Sequence, residues 1–330
     1  MPLKDNIVKQ NRIECIDIAK GITILLVVVG HVSSLPIALN GILYSFHMPL
    51  FFVLSGYFFR KETVFESAKR MFPSLIIPYL VVGCIMRVIN ITKNYINGEL
   101  FDCADLLSLF GVCWQFGDKV VSVGAIWFLV VLFLSKIFLQ VFLNYKYGLV
   151  YILIISTISI CITRYFHFIL PFGIQQACVC TLFLYVGFLC KQYKLFEEVK
   201  MSDLFIYAML FVMIPFMVKM NIGIRSNIYQ FGIFSVITSS AITIFIVLFL
   251  KSLLKYNFFK IFKPFFMWCG SYSLVILAIH SIEARFFAYH SDNYLLESFI
   301  RLAICLLLAF LYISILNLRY KFLKNENSNT

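Results

Sequence analysis

The first long apolar run of the chain, residues 15–35, contains Asp17, Lys20 and His31. Histidine can take up and release a proton near neutral pH, because its unperturbed pKa is about 6.5. A lysine ammonium binds phosphate as a point charge. On a helix these positions fall within about 60° of one another and extend over about 21 Å of its length. The spacing therefore predicts one polar face running along a helix.

Each of these residues also has a purely structural explanation. Asp17 and Lys20 could form a snorkelling pair at a membrane boundary, and His31 could bond to a neighbouring helix. Ionisable side chains inside a membrane are costly, however, and usually face a bundle interior or a cavity. Three on one face favour a polar path that runs inward from the cytoplasm.

The next apolar segments add further polar residues. His47 stands beside Pro49, which lacks a backbone N–H and is expected to interrupt the helix and free backbone carbonyls. Gly56, after Ser55, lets a neighbouring backbone approach closely. Arg87 lies deep in the third apolar segment and either lines the polar path or serves packing.

The elements that hold these residues are apolar helices. The chain has 330 residues, of which 62% are hydrophobic and 13% charged. Soluble domains are about half apolar and a quarter charged, so that class is excluded. We predict an all-α polytopic integral membrane protein with one domain, residues 1–330. Windows of about 20 apolar residues predict ten transmembrane helices, near 16–35, 41–59, 72–92, 123–143, 148–164, 172–190, 203–220, 228–250, 265–284 and 296–316.

The orientation follows from the placement of Lys and Arg. Positive charge concentrates before the first span, in alternate connections and after the last span, whereas residues 93–122 are richer in acidic residues. The positive-inside rule then places both termini in the cytoplasm, with 317–330 as a cytoplasmic tail that ends in a disordered polar segment. This pattern explains the net charge of +12 without a nucleic-acid partner.

The ten cysteines do not predict a metal site or a disulfide framework. Most of them lie in or beside apolar runs, where cysteine acts as a small hydrophobic residue. Cys178 and Cys180 lack the spacing and partner ligands of a zinc site. Only Cys103 and Cys113 share a polar loop, and they could pair if that loop is outside.

Two segments together carry a family resemblance: RIECIDIAKGITILLVVVGH at 12–31 and FHMPLFFVLSGYFF at 46–59. They resemble the membrane-bound acyltransferase 3 family, most closely its branch of fucose 4-O-acetylase-like sugar O-acetyltransferases. The segments GAIWFLVVLF at 124–133 and CGSYSLVILAIH at 269–280 extend the likeness along the chain.

The resemblance implies a ten-helix, multi-pass enzyme of the bacterial inner membrane. The acyl group, most often acetyl, would come from cytoplasmic acyl-CoA. The acceptor would be a hydroxyl of a cell-envelope glycan or a lipid-linked saccharide. The family's essential histidine maps onto His31, and its basic residue eleven positions earlier maps onto Lys20, where the family most often has arginine. In the basic cluster before the third helix, Ser74 replaces the last basic residue, so contact with CoA phosphates there falls on Lys69 and Arg70.

Acyl transfer to an alcohol needs a base, and His31 is assigned this role; it could instead accept the acyl group covalently. Asp17 is too far along the helix to orient His31. We therefore assign Lys20 to CoA phosphates and Asp17 to fixing it.

We assign the remaining candidates from their positions in the apolar segments. Ser55, Tyr57 and Trp127 could donate to the charge that develops on the thioester carbonyl. His47 and Arg87 are candidates for binding the acceptor. His280, at the end of the fourth matching segment, has a structural and a functional explanation.

A transporter or flippase of an envelope precursor is the alternative function. Such proteins often have two similar halves with paired broken helices, and no internal repeat is visible here. A non-enzymatic scaffold would not explain the polar face of the first segment. A homodimer is compatible with the sequence.

Overall fold

The computed structural model of the protein describes residues 13–98, 109, 112–116, 119–198, 200–220, 222–286 and 291–328. This part of the chain is a bundle of apolar helices. The helices are α1 Glu14–Val29, α2 Ile37–Tyr57, α3 Val64–Met71, α4 Ile77–Ile96, α5 Trp127–Phe142, α6 Gly148–Phe166, α7 Ile174–Gln192, α8 Asp203–Lys219, α9 Ile233–Leu253, α10 Asn257–Ser271, α11 Ser273–Phe286 and α12 Tyr294–Ser328.

Short β-strands connect the helices at two places. The strands β1 Cys113–Phe116, β2 Lys119–Ser122 and β3 Phe168–Ile169 form an antiparallel sheet in the order β2-β1-β3. The strands β4 Ile222–Gly223 and β5 Ile228–Tyr229 form a hairpin. The sequence did not predict these strands, because runs of two to four residues are too short to show alternation.

The all-α membrane architecture is confirmed. Six helical segments of the described chain are long and apolar enough to cross a membrane by length and composition, and a seventh qualifies if α10 and α11 count as one bent span. All ten predicted segments contain a helix, although α1 and α5 have 16 residues each and α8 has 17. The number of ten spans and the cytoplasmic placement of the termini remain predictions.

The outer faces of the bundle carry large apolar side chains, as contact with lipid requires. Phe211, Phe234 and Phe299 are 70–74% exposed. A soluble protein rarely displays such continuous apolar surface. The multi-pass membrane assignment therefore rests on the surface as well as on helix length.

Several predicted boundaries differ from the structure. Helix α1 ends at Val29, six residues before the predicted limit of 35, so His31 lies in the turn that follows. The predicted span 265–284 is two helices bent by 71° on either side of Tyr272. Helix α12 continues to Ser328, so the predicted disordered tail is wrong up to that residue. Residues 317–328 contain no Gly or Pro that would end the helix.

The predicted span 72–92 begins earlier, at Val64, as α3. Thr63 caps this helix: its hydroxyl oxygen accepts from the Glu66 backbone N–H at 3.2 Å, and the Glu66 carboxylate accepts from the Thr63 N–H at 3.2 Å. This capping box satisfies N–H groups that a helix end leaves unpaired. A π-helical segment, Phe72–Ile76, then joins α3 to α4.

Glycines set the closest helix contacts. A Cβ at Gly21 of α1 would overlap the Phe266 carbonyl of α10, and a Cβ at Gly270 would overlap the Asp17 carbonyl. The same relation joins Gly56 of α2 to Leu184 of α7, which confirms the close approach predicted there. Only glycine lets backbones pack at this distance.

Pro49 does not interrupt α2, which is continuous from Ile37 to Tyr57. The proline has no N–H for the Ser45 carbonyl one turn earlier. The Ser239 hydroxyl of α9 donates to that carbonyl instead. The freed acceptor predicted from Pro49 therefore ties α2 to α9.

Candidate active site

Two cavities lie along one face of α1. The first, here called the histidine cavity, has a volume of about 420 Å³, and His31, His47, His280, Tyr44 and Arg225 are among its lining residues. The second, here called the lysine cavity, has a volume of about 210 Å³, and Lys20, Ser55 and Phe128 are among its lining residues. Val27, Met48 and Leu277 line both cavities. The two spaces therefore meet at a short apolar boundary.

The α1 residues that line the cavities follow helical spacing. Lys20, Ile24 and Val27 line the lysine cavity, and Val27 and His31 line the histidine cavity. Intervals of four, three and four residues place side chains on one helix face. The polar face expected from the sequence is present, although His31 extends it from the turn after α1.

The hydrogen bond made by His31 fixes its tautomer. Its Nδ1 lies 2.8 Å from the Val27 carbonyl oxygen. A carbonyl oxygen only accepts, so Nδ1 carries the hydrogen, and in the neutral ring Nε2 keeps its lone pair. The side chain is also accessible, because it lines the histidine cavity. His31 is thus arranged to take a proton through Nε2.

The other two histidines lie close by. The rings of His31 and His280 meet edge to face with centroids 5.0 Å apart. His47 donates through Nδ1 to the Leu43 carbonyl at 2.6 Å and packs against Tyr44. The structure therefore gathers the three histidines that the sequence placed on separate segments.

Behind His280 lies a cluster of buried charges, here called the buried charge cluster: Glu283, Glu297 and Arg301. Glu283 Oε2 is 3.7 Å from His280 Nδ1 and 3.8 Å from an Arg301 terminal nitrogen. Arg301 Nε donates to Glu297 Oε1 at 3.0 Å. All three side chains are at most 4% exposed. Charges this deep persist only when they are paired.

The cluster also reaches the turn that carries His31. Glu297 Oε2 accepts from the Ser33 hydroxyl at 3.2 Å and from the Ser291 backbone N–H at 3.3 Å. From the other side, the Tyr44 hydroxyl donates to the Gly30 carbonyl at 3.2 Å. The residues flanking His31 are therefore held by α12 and by α2.

At the lysine cavity, Lys20 Nζ lies 3.7 Å from Asp17 Oδ1 and 4.5 Å from the centroid of the Phe58 ring. Lys136 of α5 interacts electrostatically with both Lys20 and Arg70. It follows Phe128 and Leu132 at intervals of four residues, so it continues the face of α5 that lines this cavity. Arg70 Nε donates to Glu62 at 3.2 Å. Lys20 therefore lines the cavity, Lys136 lies on the continuing face of α5, and Arg70 is within electrostatic range of Lys136.

The other residues named from the sequence are dispersed. Ser55 lines the lysine cavity and Trp127 the histidine cavity. Tyr57 is buried, donates to Glu197 at 2.6 Å and lies outside both described linings, so its assignment as a donor to the thioester is not favoured. Arg87 is buried beside Met86, which lines the histidine cavity, but is itself outside the described lining. Lys69 is exposed.

Potential metal ligands meet at one place among the described residues, where atoms of His280, Glu283 and Cys305 lie within 4.8 Å of one another. Arg301 already supplies a positive charge to Glu283 at 3.8 Å, which opposes binding of a second cation. The expectation of a metal-free enzyme stays a prediction. The Cys103–Cys113 pairing also stays one, because Cys103 lies outside the described residues.

Several residues of the site were missed by sequence reasoning. They are Tyr44, Lys136, Arg225, Glu283, Glu297 and Arg301. Glu283, Glu297, Arg301 and Lys136 could have been found from the sequence, because ionisable residues in apolar segments often mark functional sites. Arg225 had no such signal, because it lies in a short connection.

The model of the acyltransferase domain of the acyltransferase 3 family matches residues 13–319. The chain belongs to this family and, with its apolar helices, is a membrane acyltransferase. No curated protein and no solved structure matches it significantly. Family membership favours acyl transfer over the transporter alternative.

Proposed function

We propose that this enzyme moves an acetyl group from acetyl-CoA in the lysine cavity to a saccharide hydroxyl in the histidine cavity. The observation that carries the proposal is one face of α1, continued by the turn after it, along which Lys20 and His31 line two cavities that meet at Val27. Their separation of eleven positions corresponds to about 16 Å at the rise of a helix. The thin pantetheine arm of CoA suits such a path.

At the lysine cavity, Lys20, Arg70 and Lys136 would bind the CoA phosphates. Clustered cations repel one another, and an anion that binds among them removes this repulsion. Asp17 holds Lys20 in place at 3.7 Å. The orientation expected from the positive-inside rule would put this end in the cytoplasm, where acetyl-CoA is available.

At the histidine cavity, His31 Nε2 would take the proton of the acceptor hydroxyl. The oxygen then attacks the thioester carbonyl carbon, the C–S bond breaks, and the imidazolium returns its proton to the thiolate. The products are an O-acetyl ester and free CoA. Transfer through an acetyl-His31 intermediate uses the same Nε2 atom as nucleophile.

Acceptors of this kind are glycans of the bacterial cell envelope or their lipid-linked precursors, and the enzyme would act in the inner membrane. The fucose 4-O-acetylase-like resemblance of the first two segments supports a sugar acceptor. Comparison of envelope glycans from wild-type and deletion strains identifies the acetylated sugar.

The test is His31→Gln in purified enzyme, with labelled acetyl-CoA and envelope glycan as substrates. General-base catalysis contributes about 10²–10⁴-fold, and we expect a loss of that size with unchanged folding. His167→Gln, at an exposed position outside both cavities, is the matched control. Full activity of His31→Gln would refute the mechanism. A burst of free CoA, equimolar with wild-type enzyme in the absence of acceptor and absent from His31→Gln, would select the covalent route.

A further inference from the structure

The histidine cavity is lined by two arginines, Arg225 and Arg285, and its described lining includes no Asp or Glu. Neither guanidinium forms an ion pair with a carboxylate of the described residues. A neutral sugar needs hydrogen-bond donors and acceptors, but it does not need an excess of positive charge. The acetyl transfer proposed above gives these two arginines no role.

Arg225 is presented by a rigid hairpin. The Gln176 side-chain N–H donates to the Arg225 carbonyl at 2.8 Å. Two residues later, the buried Asn227 amide donates to the Ser159 carbonyl at 3.0 Å and the Thr163 hydroxyl at 2.8 Å. These bonds fix the β4–β5 turn on α6 and α7. A fixed backbone lowers the ordering cost of binding a ligand.

Arg285 adds to the same positive field from the end of α11. Lys93 of α4 donates to its carbonyl oxygen, which brings a third cation to this rim. The nearest acidic side chains on α11 and α12, Glu283 and Glu297, are paired with Arg301 and lie outside the described lining. They therefore place no carboxylate beside the two arginines in the described lining.

Arg225 and His31 line the same cavity, so the charge of Arg225 acts on the reacting histidine. It opposes the imidazolium that forms when His31 takes a proton. An anion bound at Arg225 would offset this repulsion during the reaction.

We propose that the acceptor is an acidic saccharide, whose carboxylate or phosphate binds Arg225 and Arg285 while a hydroxyl of the same molecule lies at His31. This inference rests on the proposed function and specifies its substrate class. Arginine binds both anions through paired N–H donors. The acidic group thus acts in recognition and in charge balance at the base.

The test compares three simple acceptors in detergent-purified full-length enzyme: methyl glucoside, methyl glucuronide and glucose 1-phosphate. We expect kcat/KM for at least one acidic acceptor to exceed that for the glucoside by about tenfold or more, the effect of one charge-assisted hydrogen bond. The glucuronide and phosphate arms distinguish the two sources of charge. In Arg225→Gln and Arg285→Gln the preference should disappear, and Arg225→Lys should retain part of it.

Arg164→Gln is the matched control, because Arg164 is exposed and lines a different cavity. A separate measurement of acetyl-CoA hydrolysis without acceptor keeps the two proposals apart. If acetyl-CoA is not used at all, the proposed function fails. If acetyl-CoA is used but neutral and acidic acceptors react equally, or if the acidic preference survives both arginine variants, the acidic-acceptor proposal is overturned.

Discussion

Removing Arg301 should destabilise the protein far more than removing the charge of Glu283. The buried charge cluster has two carboxylates, on Glu283 and Glu297, around one guanidinium. Arg301→Met leaves both carboxylates buried, at 2% and 0% exposure, without their shared cation. Breaking a buried pair by deleting one partner costs about 3–5 kcal/mol, and we expect at least that loss of unfolding free energy.

Glu283→Gln should destabilise the protein much less, because the amide keeps the shape of the side chain and Arg301 remains paired with Glu297 at 3.0 Å. We expect a cost of about 1 kcal/mol, the value of one hydrogen bond. The triple variant Glu283→Gln, Glu297→Gln, Arg301→Met removes every charge together and should recover most of the stability lost in Arg301→Met.

The assay is reversible unfolding by SDS titration in detergent micelles. Transfer activity is measured on the same samples. Glu283 lies 3.7 Å from His280, whose ring contacts His31, so we expect Glu283→Gln to slow transfer while leaving the protein folded. Equal destabilisation by Arg301→Met and Glu283→Gln would refute the charge argument. So would a triple variant less stable than Arg301→Met.

Two further predictions use the same preparations. Gly21→Ala should lower the unfolding free energy by about 1–3 kcal/mol through overpacking against α10. Gly223→Ala is the control and should change it little, because the added Cβ would have no neighbour nearer than 3.7 Å. Equal effects of the two substitutions would contradict the packing argument. Lys136→Gln should raise KM for acetyl-CoA about tenfold, the effect of one charge-assisted bond, without changing KM for the acceptor. The exposed Lys146→Gln is its control, and an unchanged KM for acetyl-CoA would exclude Lys136 from donor binding.

The sequence predicted those parts of the site that depend on local geometry. Lys20 and His31 are eleven positions apart in one apolar segment, so helical spacing alone predicts that they lie on one face. Hydropathy located the helices for the same reason, since each apolar segment satisfies its own backbone hydrogen bonds. These predictions need no knowledge of how the helices pack.

The long-range parts could not be predicted in this way. Ser33 and Glu297 are 264 residues apart in sequence but 3.2 Å apart in the structure. Only the packing of α12 against the turn after α1 brings them together. The 71° bend between α10 and α11 also escaped prediction, because the apolar pattern continues through it. That bend decides which α11 residues, Leu277 and His280 among them, reach the cavities.

Val27 offers a test of whether the two cavities work together. With Met48 and Leu277 it lines both of them, and it is 2% exposed. A water-excluding boundary at this point would protect the thioester from hydrolysis while the acetyl group passes.

Val27→Phe should narrow the boundary and lower kcat at least about tenfold, a barrier increase of about 1.4 kcal/mol, with little change in either KM. Val27→Ala should widen it, so that acetyl-CoA hydrolysis without acceptor rises relative to transfer. Val29→Phe is the matched control, because Val29 is on the same helix and outside both described linings. Melting temperatures of all three variants show which changes reflect unfolding. If folded Val27→Phe transfers acetyl at the wild-type rate, the acetyl group does not cross at Val27, and Lys20 and His31 serve separate sites rather than one reaction.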